Sequence, residues 1–153
     1  MALEELYREV ILDHYRSPRN REPLSTPEVT AEGVNPLCGD EVTIELDFDE
    51  QKIAAISVRG HGCSISQSSG SMMSEAIKGL DRQEITSLAN RFQEMLTSES
   101  ENGEFGLGDL EALKGVRRYP VRIKCALLPW STLTEGLESD GGGSTGSQSP
   151  ITS

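Results

Sequence analysis

The chain has 153 residues, 35% of them hydrophobic, and a formal net charge of −11. That length holds one domain with a modest core, and that charge argues against nucleic acid, whose phosphates call for clustered Lys and Arg. No apolar run approaches the roughly 20 residues a bilayer span needs, and Met1–Tyr15 is charged and amphipathic, unlike a signal peptide, so a cytoplasmic, reducing location is expected.

Leu3, Tyr7, Val10, Ile11 and His14 recur at helical spacing and predict a first helix ending near Arg16, because Pro18 disfavours helical geometry at Ser17. A proline- and charge-bearing loop follows to Thr26. Glu28–Val34 reads as a strand. Val42, Ile44, Leu46 and Phe48 alternate with Thr43, Glu45 and Asp47 as a half-buried second strand. After a turn at Asp49–Gln51, Ile53–Val58 returns as a third, its alternation interrupted by Ala54 and Ala55. Ile65, Met72, Met73, Ala76 and Ile77 then mark a helix stopped by Gly79. Asp81 and Glu84 are spaced as a capping box for another, with Ile85, Leu88, Ala89, Phe92 and Leu96 inward. Glu99–Gly108 is expected to be an exposed loop, and Leu110, Leu113 and Val116 a short helix. A last helix is predicted over Val121–Leu137, carrying Leu127, Trp130, Leu133 and Leu137. Pro129 should kink it, having no N–H for the Cys125 carbonyl. Residues 1–138 make one domain, and the Gly/Ser-rich segment 139–153 is expected to be a disordered tail.

The chain's three cysteines are Cys38, Cys63 and Cys125. In Cys38-Gly39-Asp40, the glycine lets the backbone turn so that thiol and carboxylate can face one metal. Cys63 lies between a predicted strand and a predicted helix, whose N-terminus favours a thiolate. Cys125 follows Lys124, whose ammonium acts in the same direction, although taken alone Cys125 reads first as a core cysteine on the apolar face shared with Trp130. Three thiolates and a carboxylate can close a tetrahedral zinc site, hold an iron–sulfur cluster, or accept sulfur from a partner. Asp40, the hard oxygen among soft sulfurs, is expected to be the most weakly held ligand, so its loss should alter reactivity more than fold. His61 reads as a solvated loop residue, and His14 as packed. The serines Ser64, Ser66, Ser68, Ser69, Ser71 and Ser74 show no base or oxyanion partner and read as small residues for close helix packing. Arg117, Arg118, Arg122 and Lys124 form a small basic patch suited to a protein partner.

Asp13-His14-Tyr15 with Pro18-Arg19-Asn20, Asn35-Pro36-Leu37-Cys38-Gly39-Asp40 and Gly62-Cys63-Ser64-Ile65-Ser66 together resemble the IscU family of iron–sulfur cluster assembly proteins, over roughly Leu3–Leu137. Within it the chain is more similar to the SufU branch. Lys124 stands where scaffold-type members have histidine, their Leu-Pro-Pro-Val-Lys segment is missing, and the stretch from Cys63 to Cys125 is long. Arg122-Ile123-Lys124-Cys125-Ala126-Leu127-Leu128 is similar to that branch's last-helix motif, from which Pro129 departs. The resemblance implies an α+β fold of the SufE/NifU-like, IscU type, a small antiparallel three-stranded sheet packed against several helices. It implies zinc held by Cys38, Asp40, Cys63 and Cys125, or alternatively a [2Fe–2S] cluster assembled on the same residues and handed on. It implies a zinc-dependent sulfurtransferase in which Cys38 accepts persulfide sulfur from a SufS-type, pyridoxal-phosphate-dependent cysteine desulfurase. The resemblance also implies that a partner side chain takes Cys38's place on the metal before that transfer, and that downstream cluster-assembly proteins are further partners.

Overall fold

β1 (Val29–Asn35), β2 (Asp40–Asp49) and β3 (Lys52–His61) form an antiparallel sheet in the order β1-β2-β3. The structure, a computed structural model, describes residues 3–36, 39–97 and 107–142, with side chains from 8 to 138 within those spans. Because successive side chains point to opposite faces, Val42, Ile44 and Leu46 share one buried face. The register sets Val29, Leu46 and Ile56 side by side, then Ala31, Ile44 and Val58. Asn35 and Asp40 are paired at the end of this inward row and are buried with it.

Glu50 and Gln51 join β2 to β3, with φ of 51° and 73°. A two-residue hairpin of the I′ type needs both to be left-handed. The interrupted alternation at Ala54 has a physical cause. Asp47 pairs with Ala55 and Phe48 with Ile53, so Ala54 is the extra residue of a bulge. The outer edge of β3 is covered by backbone: Val58 N–H donates to the Asn20 carbonyl at 2.8 Å and Ile53 N–H to the Leu80 carbonyl at 3.0 Å.

The helices are α1 (Leu3–Arg16), α2 (Ser64–Ile77), α3 (Arg82–Thr97), a 3-10 helix over Gly108–Arg118, and α4 (Pro120–Gly142). The architecture is the expected α+β one. The capping box forms in both directions: Glu84 N–H donates to Asp81 Oδ1 at 2.8 Å, and Asp81 N–H to Glu84 Oε1 at 3.0 Å. The short helix is 3-10 rather than α. Leu107, Leu110, Leu113 and Val116 recur every third residue, and three residues per turn align them in one buried stripe.

α4 is continuous through Pro129, with no break there in the helix. Pro129 is buried against α2 at Gly70, where a Cβ would stand 3.1 Å from Val58 Cγ1 and 3.7 Å from Pro129 Cβ. A larger residue at 70 would therefore push α2 away from both the sheet and α4. Phe92 of α3 stacks on Trp130 of α4 with centroids 4.9 Å apart, and Met73, Ile77, Leu128 and Leu133 complete the centre of the core. Among the described residues no helix is long and apolar enough to cross a membrane. Cys38, most of the Glu99–Gly108 loop and residues 143–153 of the expected tail lie outside the described residues.

Candidate metal centre

Three segments far apart in sequence meet at one end of the sheet. Asp40 opens β2 on the inward row and is fully buried. Cys63 leaves β3 and occupies the N-cap of α2, in extended geometry with φ −73° and ψ 164°. Cys125 lies in the second turn of α4 and is fully buried. One ligand atom from each of Asp40, Cys63 and Cys125 lies within 4.8 Å of the other two.

Local backbone holds the carboxylate in place. Cys63 N–H donates to Asp40 Oδ1 at 2.8 Å, and Cys63 Sγ lies 3.7 Å from Asp40 Oδ2. The approach depends on Gly62. Its φ is +146°, and a Cβ built there would fall 2.2 Å from Asp40 Oδ1. Asp40 thus anchors the Cys63 turn as well as offering an oxygen. Its loss would disturb local structure more than the ligand argument alone anticipates. Cys125 Sγ points at the Val121 carbonyl, 3.8 Å away, and Asn35 Nδ2 points at Cys125 Sγ from 4.0 Å.

The expected ligand Cys38 is outside the described residues, but both chain neighbours of that turn are placed. Asn35 and Asp40 are register partners, and Gly39, at φ +72°, donates its N–H to the Asn35 carbonyl at 2.9 Å. His61 is exposed, with Nε2 3.7 Å from Glu41 Oε2, and is not among the gathered ligand atoms. Lys124 is exposed. Arg122, read from the sequence as part of a docking patch, has a second relation. Its guanidinium is held more firmly charged than usual, first by the nearby Cys63 sulfur and then by a hydrogen bond to Cys125. Its three-residue spacing from Cys125 on a helix was the signal for this.

The serines of α2 do more than keep the helices close. Ser71 Oγ contacts His14 Nδ1 at 2.7 Å and accepts from Arg19 N–H at 3.0 Å. Asn20 Nδ2 donates to Ser74 Oγ at 2.8 Å, and Ser68 Oγ to the Ile11 carbonyl at 2.8 Å. On the other side Ser69 Oγ donates to the Ala126 carbonyl at 2.6 Å and accepts from Trp130 Nε1 at 3.1 Å. His14 is buried as expected, and burial, then the Arg19 charge, lowers its pKa below 6.5 against the opposing Asp109, Asp13 and Glu75.

Two sulfurs and one carboxylate oxygen, gathered in a largely buried pocket at the junction of a sheet end and two helices, are a donor set that suits zinc. Comparison with known proteins shows what the chain as a whole is similar to. The model of the NifU-like N-terminal domain matches residues 6–126. The chain is 40% identical over 141 residues to the zinc-dependent sulfurtransferase SufU of Bacillus subtilis (strain 168), covering 92% of this chain and 95% of that one. It is 38% identical over 136 residues to the iron-sulfur cluster assembly scaffold protein IscU of Streptococcus pyogenes serotype M1, covering 89% and 85%. A crystal structure from the thermophilic Fervidobacterium islandicum AW-1, described as an iron–sulfur cluster assembly scaffold protein for the SUF system, superposes with a TM-score of 0.79. It is 34% identical and covers 89% of this chain and 99% of that one.

Proposed function

This chain belongs to the family of NifU-like N-terminal domains and is an iron–sulfur cluster assembly protein of the IscU/SufU type, and we propose that its working step is to accept persulfide sulfur on Cys38 from a SufS-type cysteine desulfurase. The carrying observation is the convergence of Asp40, Cys63 and Cys125 within 4.8 Å at the end of the sheet, beside the turn whose sequence contains Cys38. Asp40, Cys63 and Cys125, with Cys38 as fourth, would hold zinc. Bound zinc would keep cysteine sulfur deprotonated at neutral pH.

The residues divide the work. Cys63 and Cys125 sit on helix starts fixed by the core, so they are suited to staying in place. Arg122 offsets the negative charge that two deprotonated sulfurs and a buried carboxylate would concentrate there. Cys38, two residues before Asp40, is the sulfur left to react. Its thiolate attacks the outer sulfur of the donor's persulfide, R–S–SH. A new bond joins Cys38 Sγ to that sulfur, the donor's S–S bond breaks, and the donor leaves as R–S⁻. The hydrogen travels with the transferred sulfur, giving Cys38–S–SH. No outside oxidant or reductant enters.

Anaerobic purification with metal analysis tests this reading. One tightly held zinc per chain and a colourless protein are expected. A coloured protein carrying iron and sulfide would favour the alternative, a scaffold that assembles a [2Fe–2S] cluster on the same residues.

A further inference from the structure

The two described cysteines have unlike surroundings. Cys63 Sγ faces an acceptor, Asp40 Oδ2, at 3.7 Å. Cys125 Sγ also has an acceptor near it, the Val121 carbonyl at 3.8 Å, which suits a protonated thiol but not a thiolate. What compensates at Cys125 is a donor, the Asn35 carboxamide, whose Nδ2 stands 4.0 Å away at the outer end of amide–sulfur donation. Arg122 serves both sulfurs, so it does not distinguish them. Asn35 does.

We propose that Asn35 is a positioning residue for the metal centre: by donating to Cys125 Sγ it marks that sulfur as the ligand that stays, so the sulfur freed to react is a different one. The inference rests on the reading of this site as a sulfur-accepting metal centre.

The fold supports a fixed amide. Asn35 ends β1 on the inward row, paired with Asp40, and only 7% of it is exposed. Its carbonyl is tied by the Gly39 N–H at 2.9 Å, so the turn containing Cys38 and the amide beside Cys125 hang from one residue. A buried carboxamide costs stability unless its N–H groups find acceptors, and a sulfur that becomes anionic on metal binding is a better acceptor than a thiol. Donation to a ligating sulfur draws off electron density. The metal–sulfur bond is then retained, and the sulfur becomes a poorer nucleophile towards persulfides and alkylating agents. With Arg122 beside both sulfurs, the added Asn35 donor on Cys125 orders the two described sulfurs by reactivity.

The test uses the full chain loaded with Co(II) or Zn(II), comparing Asn35→Leu, which keeps the side chain's size and loses the donor, with Arg122→Leu. In the cobalt protein Asn35→Leu should move the sulfur-to-metal charge-transfer band to longer wavelength and weaken cobalt binding by about tenfold. In the zinc protein, iodoacetamide labelling resolved by peptide mass spectrometry should rise several-fold at Cys125 with Cys63 unchanged, whereas Arg122→Leu should raise both. An unmoved band with an unchanged Cys125 rate overturns the proposal, and so does equal acceleration of both cysteines in Asn35→Leu, which would mean general loosening. If Asn35→Leu does not fold, Asn35→Ser, too short to reach the sulfur, is read by the same outcomes. None of these measurements uses a desulfurase, so they can fail while sulfur acceptance by Cys38 stands, and succeed while it falls.

Discussion

Helix α2 carries two buried polar regions, and they are built in opposite ways. Along its middle, Ser68, Ser69, Ser71 and Ser74 meet α1, the segment after it and α4 through contacts of 2.6–3.1 Å. At its N-terminus, the sulfurs of Cys63 and Cys125 have neighbours at 3.7, 3.8 and 4.0 Å. Buried polar groups are normally satisfied, and the serine region obeys that rule. It is a clasp whose job ends with holding elements together. The cysteine region gathers two sulfurs and a carboxylate, with Arg122 beside both sulfurs, inside a firm frame that includes the short Cys63 N–H to Asp40 bond. Two sulfurs and a carboxylate oxygen gathered within 4.8 Å of one another are a donor set that suits a metal ion.

Removing zinc should have the largest effect if the cysteine region depends on metal in this way. A ligand present at about 1,000 times its Kd adds about 4 kcal/mol to folding, and for a domain of this size 1 kcal/mol is about 2–4 °C. Chelation should therefore lower Tm by about 10 °C. An unchanged melt after verified zinc loss would mean that the site contributes nothing to joining β2, α2 and α4.

The clasp should fail differently. Ser71→Ala leaves the buried His14 Nδ1 and the Arg19 N–H without their shared oxygen, at a cost of about 1–3 kcal/mol. Urea unfolding would show this as a lower midpoint, with zinc content unchanged. A parallel loss of zinc would show that the two regions are coupled along α2.

A smaller effect should come from pH. Folding lowers the pKa of His14 below 6.5, mainly through burial, so the unfolded chain binds that proton more readily. The contribution is fully present above about pH 6.5 and is lost as pH falls through 6.5 towards the lowered folded value. The urea midpoint of the wild type should therefore drop more between pH 7.5 and pH 5.5 than that of His14→Gln, in which this group no longer titrates. Equal drops would place the pH sensitivity elsewhere than at His14.

Much of the fold was legible because it rests on local rules. The capping box at Asp81 and Glu84, the inward row of β2 and the helical stripe of α3 each follow from spacing alone. Two signals were present but read short. The alternation of Val42, Ile44 and Leu46 extends back to Asp40, which places the carboxylate on the buried face, and the strict three-residue spacing of Leu107, Leu110, Leu113 and Val116 is a 3-10 period. Other features were beyond local rules. Ser71 meets His14 across 57 positions and Cys125 meets Asn35 across 90, distances at which spacing says nothing. The site was suggested by residue type: three thiols, two of them in glycine-bearing turns, and a carboxylate. The structure brings Asp40, Cys63 and Cys125 together and adds Asn35 and Arg122 beside them.

The central claim is that a metal-held frame of Asp40, Cys63 and Cys125 presents Cys38 as the sulfur acceptor. It is tested most directly by mixing the zinc-loaded chain with a SufS-type desulfurase and cysteine, then locating the persulfide by peptide mass spectrometry, with Cys38→Ser in parallel. Serine's hydroxyl is too weakly acidic to attack a persulfide, so the variant should neither stimulate desulfurase turnover nor carry label, while still binding the enzyme in a pull-down. The wild type should carry the added sulfur on Cys38. Persulfide on Cys63 or Cys125, or turnover stimulated as well by Cys38→Ser as by the wild type, would contradict the claim.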